Sequence, residues 1–213
     1  MPLEEAMLTQ RAVRRVLPDD VDDDIVLRCI ELALKAPTGS NGQNWEFVVV
    51  KDRDTLQAFA EQYRKAWKFY GGLGERLTAN NPDMAKILRS VAWQVDNFED
   101  IPVVVVPCLV GTTRLAPIVL AQSSHYGSIY PSVQNLLLAA RSVGLGASLI
   151  TMPLWLQTRS RKLLGLPFNT QPVCMVPLGW PRGRYGPTTR KPVGDVVHLD
   201  RFGNRAWKGH TPD

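Results

Sequence analysis

Two groups of basic residues lie near opposite ends of the chain. The stretch QRAVRRV carries Arg11, Arg14 and Arg15, and RGRYGPTTRK carries Arg182, Arg184, Arg190 and Lys191. A guanidinium presents a planar fork of donors that matches phosphate oxygens. Taken alone, these arginines read first as solvated surface charge. A third stretch, APTGSNGQNW at 36–45, changes the weighing. Thr38, Ser40, Asn41 and Gln43 bring side-chain donors and acceptors, and Gly39 and Gly42 let a backbone come close. The plain alternative is a hydrophilic turn. Beside an N-terminal arginine cluster, such a loop could hold a flat, polar, phosphate-tailed ligand.

Other chemistries lack their parts. His125, His198 and His210 show no ligand spacing, and Cys29, Cys108 and Cys174 are far apart with no C-x-x-C. A zinc site and a disulfide framework are therefore not expected, and buried reduced thiols are. GGLGE at 71–75 lacks the dinucleotide-binding spacing and does not follow a strand. GLGAS at 144–148 precedes a strand, so Gly144 reads as a helix cap. There is no Walker A sequence and no G-x-S-x-G.

The elements that must position these residues follow from periodicity. A helix is expected over 22–37, with Asp22 or Asp23 at its start, one face of Ile25, Cys29, Leu32 and Ala36, and Pro37 as its stop. WEFVVV at 45–50 reads as a strand, 54–67 as a helix, 71–77 as a turn and 82–100 as a helix with Pro82 in its first turn. PVVVVPCLV at 102–110 is apolar on both faces, as a covered central strand requires. The stretch 111–127 lacks a period and reads as a loop. A helix over 130–144, strands at 147–152 and 171–180, and a surface helix between them complete a domain of residues 1–180. Beyond Trp180 the chain turns rich in Pro, Gly and Arg. Within this extension, 181–213, DVVHLDRF at 195–202 reads as a strand that must pair with its own sheet or with a partner subunit. The fold class is α+β, helices around about five strands.

Composition agrees with one folded domain: 213 residues, 45% hydrophobic and 21% charged. The formal net charge of +5 suits a phosphate-bearing small molecule as well as nucleic acid. The arginines gather at two chain ends with no recognised nucleic-acid motif, which leaves a nucleic-acid module as the weaker reading. No signal-peptide pattern opens the sequence, and the longest apolar run, 101–110, is about half a membrane span. A cytoplasmic protein that contacts neither membrane nor nucleic acid is expected.

The order of these pieces resembles the nitroreductase family, flavin-dependent NAD(P)H oxidoreductases. QRAVRRV stands where that family has an R-R-S-V-R-like stretch, and APTGSNGQNW where it has A-P-S-x-x-N-x-Q-P-W. NLLLAARSVGLGASLIT and TTRKPVGDVVHL match the later helix–G-L-G–strand and the closing basic stretch. The resemblance runs nearly the whole chain. It implies FMN as cofactor and a nitroreductase-like fold with a central mixed sheet. It further implies an intertwined homodimer whose C-terminal strand is exchanged between subunits, with two flavin sites at the interface. Pro37, Thr38, Gly39, Ser40, Asn41 and Gln43 would wrap the isoalloxazine, largely from the partner. Arg11, Ala12 and Arg14 would take the N-terminal contacts, with Arg14 at the pyrimidine edge. Leu149, Ile150 and Thr151 would lie near N5, and Arg190 would hold the phosphate. Gln10, Ala12, Thr38 and Asn44 depart from the family pattern (Arg, Ser, Ser and Pro there); Gln10 leans the phosphate on Arg11, Arg15 and Arg190, Ala12 loses a hydroxyl donor, and Asn44 loosens the loop.

The implied activity is ping-pong hydride transfer, from NAD(P)H to flavin N5 and on to a nitroaromatic, quinone or similar small acceptor. No protein acid, base or metal is required, so the flavin carries the chemistry. The alternative is a flavin- or deazaflavin-binding protein of the same fold without fast NAD(P)H turnover. Trp67, Tyr70, Leu115 and Tyr126, in the segments 64–80 and 111–127, are expected to shape the entrance.

Overall fold

Asp22 opens the first long helix by accepting from the Asp24 N–H at 2.9 Å, with Asp23 and Asp24 in the dipole-favoured first turn. A computed structural model describes residues 1–77, 81–111 and 119–210. Its helices are α1 (Leu3–Thr9), α2 (Asp23–Ala33), α3 (Arg53–Leu77), α4 (Pro82–Asp96), α5 (Val119–Ser142) and α6 (Gln157–Leu163). Its strands are β1 (Trp45–Val50), β2 (Val103–Val110), β3 (Gly146–Ala147), β4 (Thr170–Pro172) and β5 (Val176–Gly179). The five-stranded sheet has the order β1-β2-β5-β3, with β4 also on β2, and every ladder is antiparallel. The parallel component of the expected mixed sheet is a bridge between Ala12 and Ala147. No described helix is long and apolar enough to cross a membrane.

The doubly apolar β2 explains the layering. Val103, Val105 and Leu109 point into one core with Val26, Cys29 and Ala33 of α2 and Val133, Leu136 and Ala140 of α5. Val104, Val106 and Cys108 point into the other, with Leu56, Phe59 and Tyr63 of α3. This strict alternation makes a sheet covered on both sides. Cys29 and Ala36 of the expected face lie in the first of these cores, whereas Val26 and Ala33 take its centre and Ile25 and Leu32 only flank it. All three cysteines are buried free thiols.

Several elements correct the sequence expectations. The GGLGERL turn is helix: α3 continues through Leu77, with Gly71 tight against the Trp67 ring. The loop expected over 111–127 is helical from Val119, so α5 carries Pro131 inside it, and 112–118 lie outside the described residues. The strand at 147–152 shrinks to β3 plus an Ile150–Met175 bridge, and 171–180 divides into β4 and β5. The surface helix is seven residues long, and α1 was not anticipated. The stretch 195–202 is not a strand in the single chain. A short 3-10 turn, Val193–Asp195, is followed by bends closed by Leu199 N–H to Asn204 O at 2.8 Å and Gly203 N–H to His198 Nδ1 at 3.1 Å. Local polar bonds satisfy a backbone that has no neighbouring strand to pair with.

Candidate functional site

The N-terminal arginines are held at an open strand edge. Ala12 bridges Ala147, and the Val13 N–H donates to Ala147 O at 2.9 Å. Farther along the same segment, Ile150 exchanges both backbone bonds with Met175, at 2.9 and 2.8 Å. A residue that pairs this way leaves its two neighbours facing the opposite edge. The N–H groups of Leu149 and Thr151 accordingly donate to nothing among the described residues. Both residues are exposed, whereas Ser148 and Ile150 are buried.

Arg14 sits at that edge half-buried, with a buried Nε that has no partner. Burial pulls its pKa down, and burial pushes the nearby Tyr63 hydroxyl up to about 12 against the pull of the Arg14 charge. The C-terminal extension returns to the same place. Thr188 N–H donates to Leu8 O at 3.1 Å, which sets Arg190 two residues away near the turn into Arg11. Arg11, Arg15 and Arg190 are exposed, and none of Arg11, Arg14, Arg15 or Arg190 makes an ion pair among the described residues. Guanidinium groups without an ion pair, and backbone amides without an acceptor, are both suited to anionic or polar ligand atoms. Arg182 is different: it bonds Val16 O at 3.2 Å and covers the Trp93 ring, a packing role.

The second set is the 37–43 loop. Gly39 N–H donates to Ser128 Oγ of α5 at 3.0 Å, and Thr38 Oγ1 accepts from Gln43 N–H at 3.1 Å. Gly39 and Gly42 were expected to let a backbone come close, and the unusual backbone lies at their neighbours. Ser40, Asn41 and Gln43 take φ of 53°, 52° and 48°, while Gly42 is right-handed. Left-handed backbone at three non-glycine residues costs energy and concentrates where a ligand or partner is met. Gly39, Ser40, Asn41 and Gln43 are exposed.

One chain does not bring the two sets together. The loop leads into Trp45 on β1, and Ala12 lies beyond β3 at the other end of the strand order. Four strand spacings put these columns about 19 Å apart. Helix α5 gives a second ruler: Ser128 touches Gly39, and Arg141 Nε touches Thr9 Oγ1. Thirteen residues of helix separate those contacts, about 20 Å. The loop is therefore not beside the arginine cluster of its own chain. Each chain thus carries the two candidate sets at separate corners.

Behind the arginine edge lie polar residues that sequence reading passed over. Gln94 Nε2 bonds Ser148 Oγ at 3.0 Å, and Gln62 Nε2 bonds Ser160 Oγ at 2.7 Å and Pro153 O. Gln62, Gln94, Ser148 and Ser160 are buried. Helical spacing from Phe59 to Gln62 and from Val91 to Gln94 was the available signal. Of the entrance residues, Tyr70 makes an exposed aromatic cluster with Phe69 and Trp155, centroids 5.3 to 5.8 Å apart. Trp67 packs on Gly71, Tyr126 packs against the core beside α5, and Leu115 lies outside the described residues. No group of three or more potential metal ligands occurs among the described residues.

A model described as "Nitroreductase family" matches residues 7–180. An NADH dehydrogenase of Thermus thermophilus is 28% identical over 90% of this chain and 93% of its own. Among solved structures, an FMN- and NADPH-dependent nitroreductase of Sphigopyxis sp. superposes with TM-score 0.69 at 20% identity, covering 95% and 100% of the two chains. An iodotyrosine deiodinase bound to FMN and 3-iodo-L-tyrosine superposes with TM-score 0.71 at 20% identity, covering 94% and 100%.

Proposed function

The chain belongs to the nitroreductase family, and from that premise we propose that it is an FMN-dependent NAD(P)H oxidoreductase working as a homodimer. The features that support this reading are Arg11, Arg14, Arg15 and Arg190, which make no ion pair among the described residues, and the free amides of Leu149 and Thr151. Those residues fit FMN chemically. Arg190, with Arg11 and Arg15, would meet the phosphate. The unpartnered Arg14 Nε and the two amides supply donors for the polar edge of a flat ring.

When bound, FMN supplies two-electron chemistry between a reduced nicotinamide and a second substrate. The chain's part is placement and charge. Arg14 at the ring's polar edge would favour negative charge developing on a ring held against 149–151. The exposed, strained loop Gly39–Gln43 of a partner subunit would close the other face, since its own chain holds it about 20 Å away. In such a dimer the 195–202 stretch, free of sheet partners in the single chain, would pair across subunits.

Phe69, Tyr70 and Trp155 stand one short turn beyond Thr151, where Trp155 N–H bonds Met152 O at 3.2 Å. This apolar rim supports a planar acceptor such as a nitroaromatic or quinone, taken in alternation with NAD(P)H. Purification, mass identification of the chromophore and anaerobic titration with NADH and NADPH test the reading. A yellow protein bleached by either nucleotide is expected. A colourless protein that takes up no FMN refutes it, and a yellow protein that neither nucleotide bleaches reduces it to flavin binding.

A further inference from the structure

Leu149–Met152 is anchored at three points. Its middle is tied by the paired Ile150–Met175 bonds. Its start is tied by Gln94 of α4, which donates to Ser148 Oγ at 3.0 Å, and its end by Gln62 of α3, which donates to Pro153 O. Both amides are essentially inaccessible, at 1% and 0% exposure, and the oxygen of each has no partner. A buried oxygen left unpaired is destabilising. Methionine at either position would fill the space without that penalty. Stability alone therefore does not account for two primary amides placed at the two ends of one short segment.

We propose that Gln62 and Gln94 are positioning residues that hold the 149–151 backbone in register for the flavin, Gln94 through Ser148 and Gln62 through Pro153. The inference rests on the FMN reading given above. The Leu149 and Thr151 amides are useful only if they point at fixed places, and displacements of about 1 Å are costly in such a constellation. The clamp reaches the segment from behind, so neither glutamine touches the ligand.

The test uses the full-length protein and four variants: Gln94→Met, Ser148→Ala, their combination, and Gln62→Met. The readouts are the FMN dissociation constant, the absorption band of the bound flavin, its reduction potential, and the melting temperature without FMN. Gln94→Met is expected to weaken FMN about two- to tenfold, with a shifted absorption band and potential and an unchanged or raised melting temperature. Ser148→Ala should reproduce the shift, and the combined variant should add nothing to it, because both substitutions break one bond. Gln62→Met should weaken FMN independently and additively. Folded variants with wild-type affinity, band and potential would overturn the proposal, as would full additivity between Gln94→Met and Ser148→Ala. If Gln94→Met does not fold, Ser148→Ala, which removes one oxygen, decides by the same readouts. A wild-type protein that binds no FMN sinks the functional reading instead, and is seen before any variant is compared.

Discussion

Replacing Arg14 by glutamine should move two properties in opposite directions. Without FMN, Arg14 is a half-buried charge with an orphaned Nε and no acidic partner among the described residues. An unsatisfied buried donor costs about 1–3 kcal/mol, and partial exposure puts this one at the low end. Arg14→Gln should therefore raise the melting temperature of the FMN-free protein by about 2 to 4 °C, the shift that about 1 kcal/mol gives a chain of this length. With FMN bound, the same substitution removes a positive charge from the ring's polar edge. A partly exposed, charge-assisted contact of about 1 to 2 kcal/mol corresponds to roughly 20 to 45 mV for a two-electron couple. The reduction potential should fall by that amount while oxidised FMN binds only modestly worse. Arg14→Lys should keep most of the potential but lose the forked geometry. Potentiometry of the loaded protein and thermal melting of the stripped protein read the two effects separately. An unchanged potential at full FMN content would refute the reasoning and pass the role to Arg15 or to a backbone donor.

Three further outcomes are expected. Arg190→Ala should weaken FMN by about 1.5 to 3 kcal/mol, roughly tenfold to over a hundredfold, and leave riboflavin binding nearly unchanged; equal losses by titration calorimetry would make Arg190 a structural residue. At Ser40, whose φ is 53°, a β-branched Val should cost about 1 to 2 kcal/mol, or about 2 to 8 °C in melting temperature, whereas Gly should be tolerated; equal melting of both variants would remove the strain argument. Burial holds the His125 imidazole below its ordinary 6.5, so the unfolded chain takes up that proton first. Its contribution leaves stability intact above pH 6.5 and lowers it as pH falls through 6.5 toward the folded value. His125→Gln should flatten this acid limb in melting curves, and an unaltered slope would assign the limb to carboxylates.

What the sequence made legible was what a local pattern can carry. The alternation along Val103–Leu109 declared a strand with two apolar faces, and both cores were found on it. Asp22, Pro82 and Gly144 marked helix ends because each acts within one turn. The candidate residues could be named from their donors and their order, but not grouped: the strand order and the length of α5 set Thr38–Gln43 and Arg11–Arg14 apart. The GGLGERL stretch misled because its glycines suggested a turn, while Trp67 packing on Gly71 lets the helix continue. DVVHLDRF at 195–202 read as a strand, yet such a stretch pairs only if a neighbour is supplied. Gln62 and Gln94 went unnoticed because a buried glutamine looks in sequence like any surface glutamine on a helix.

The central claim is that each flavin site is built from the arginine edge of one chain and the 39–43 loop of another. Mixed dimers test it directly. One chain would carry Arg11→Ala with Arg190→Ala, the other an alanine-substituted Ser40, Asn41 and Gln43, each bearing a different purification tag. Both homodimers should bind FMN poorly, and the isolated heterodimer should recover one FMN per dimer, because one of its sites then combines two intact halves. A heterodimer as empty as its parents, beside a wild-type dimer that fills normally, would place both halves in the same chain and contradict the account.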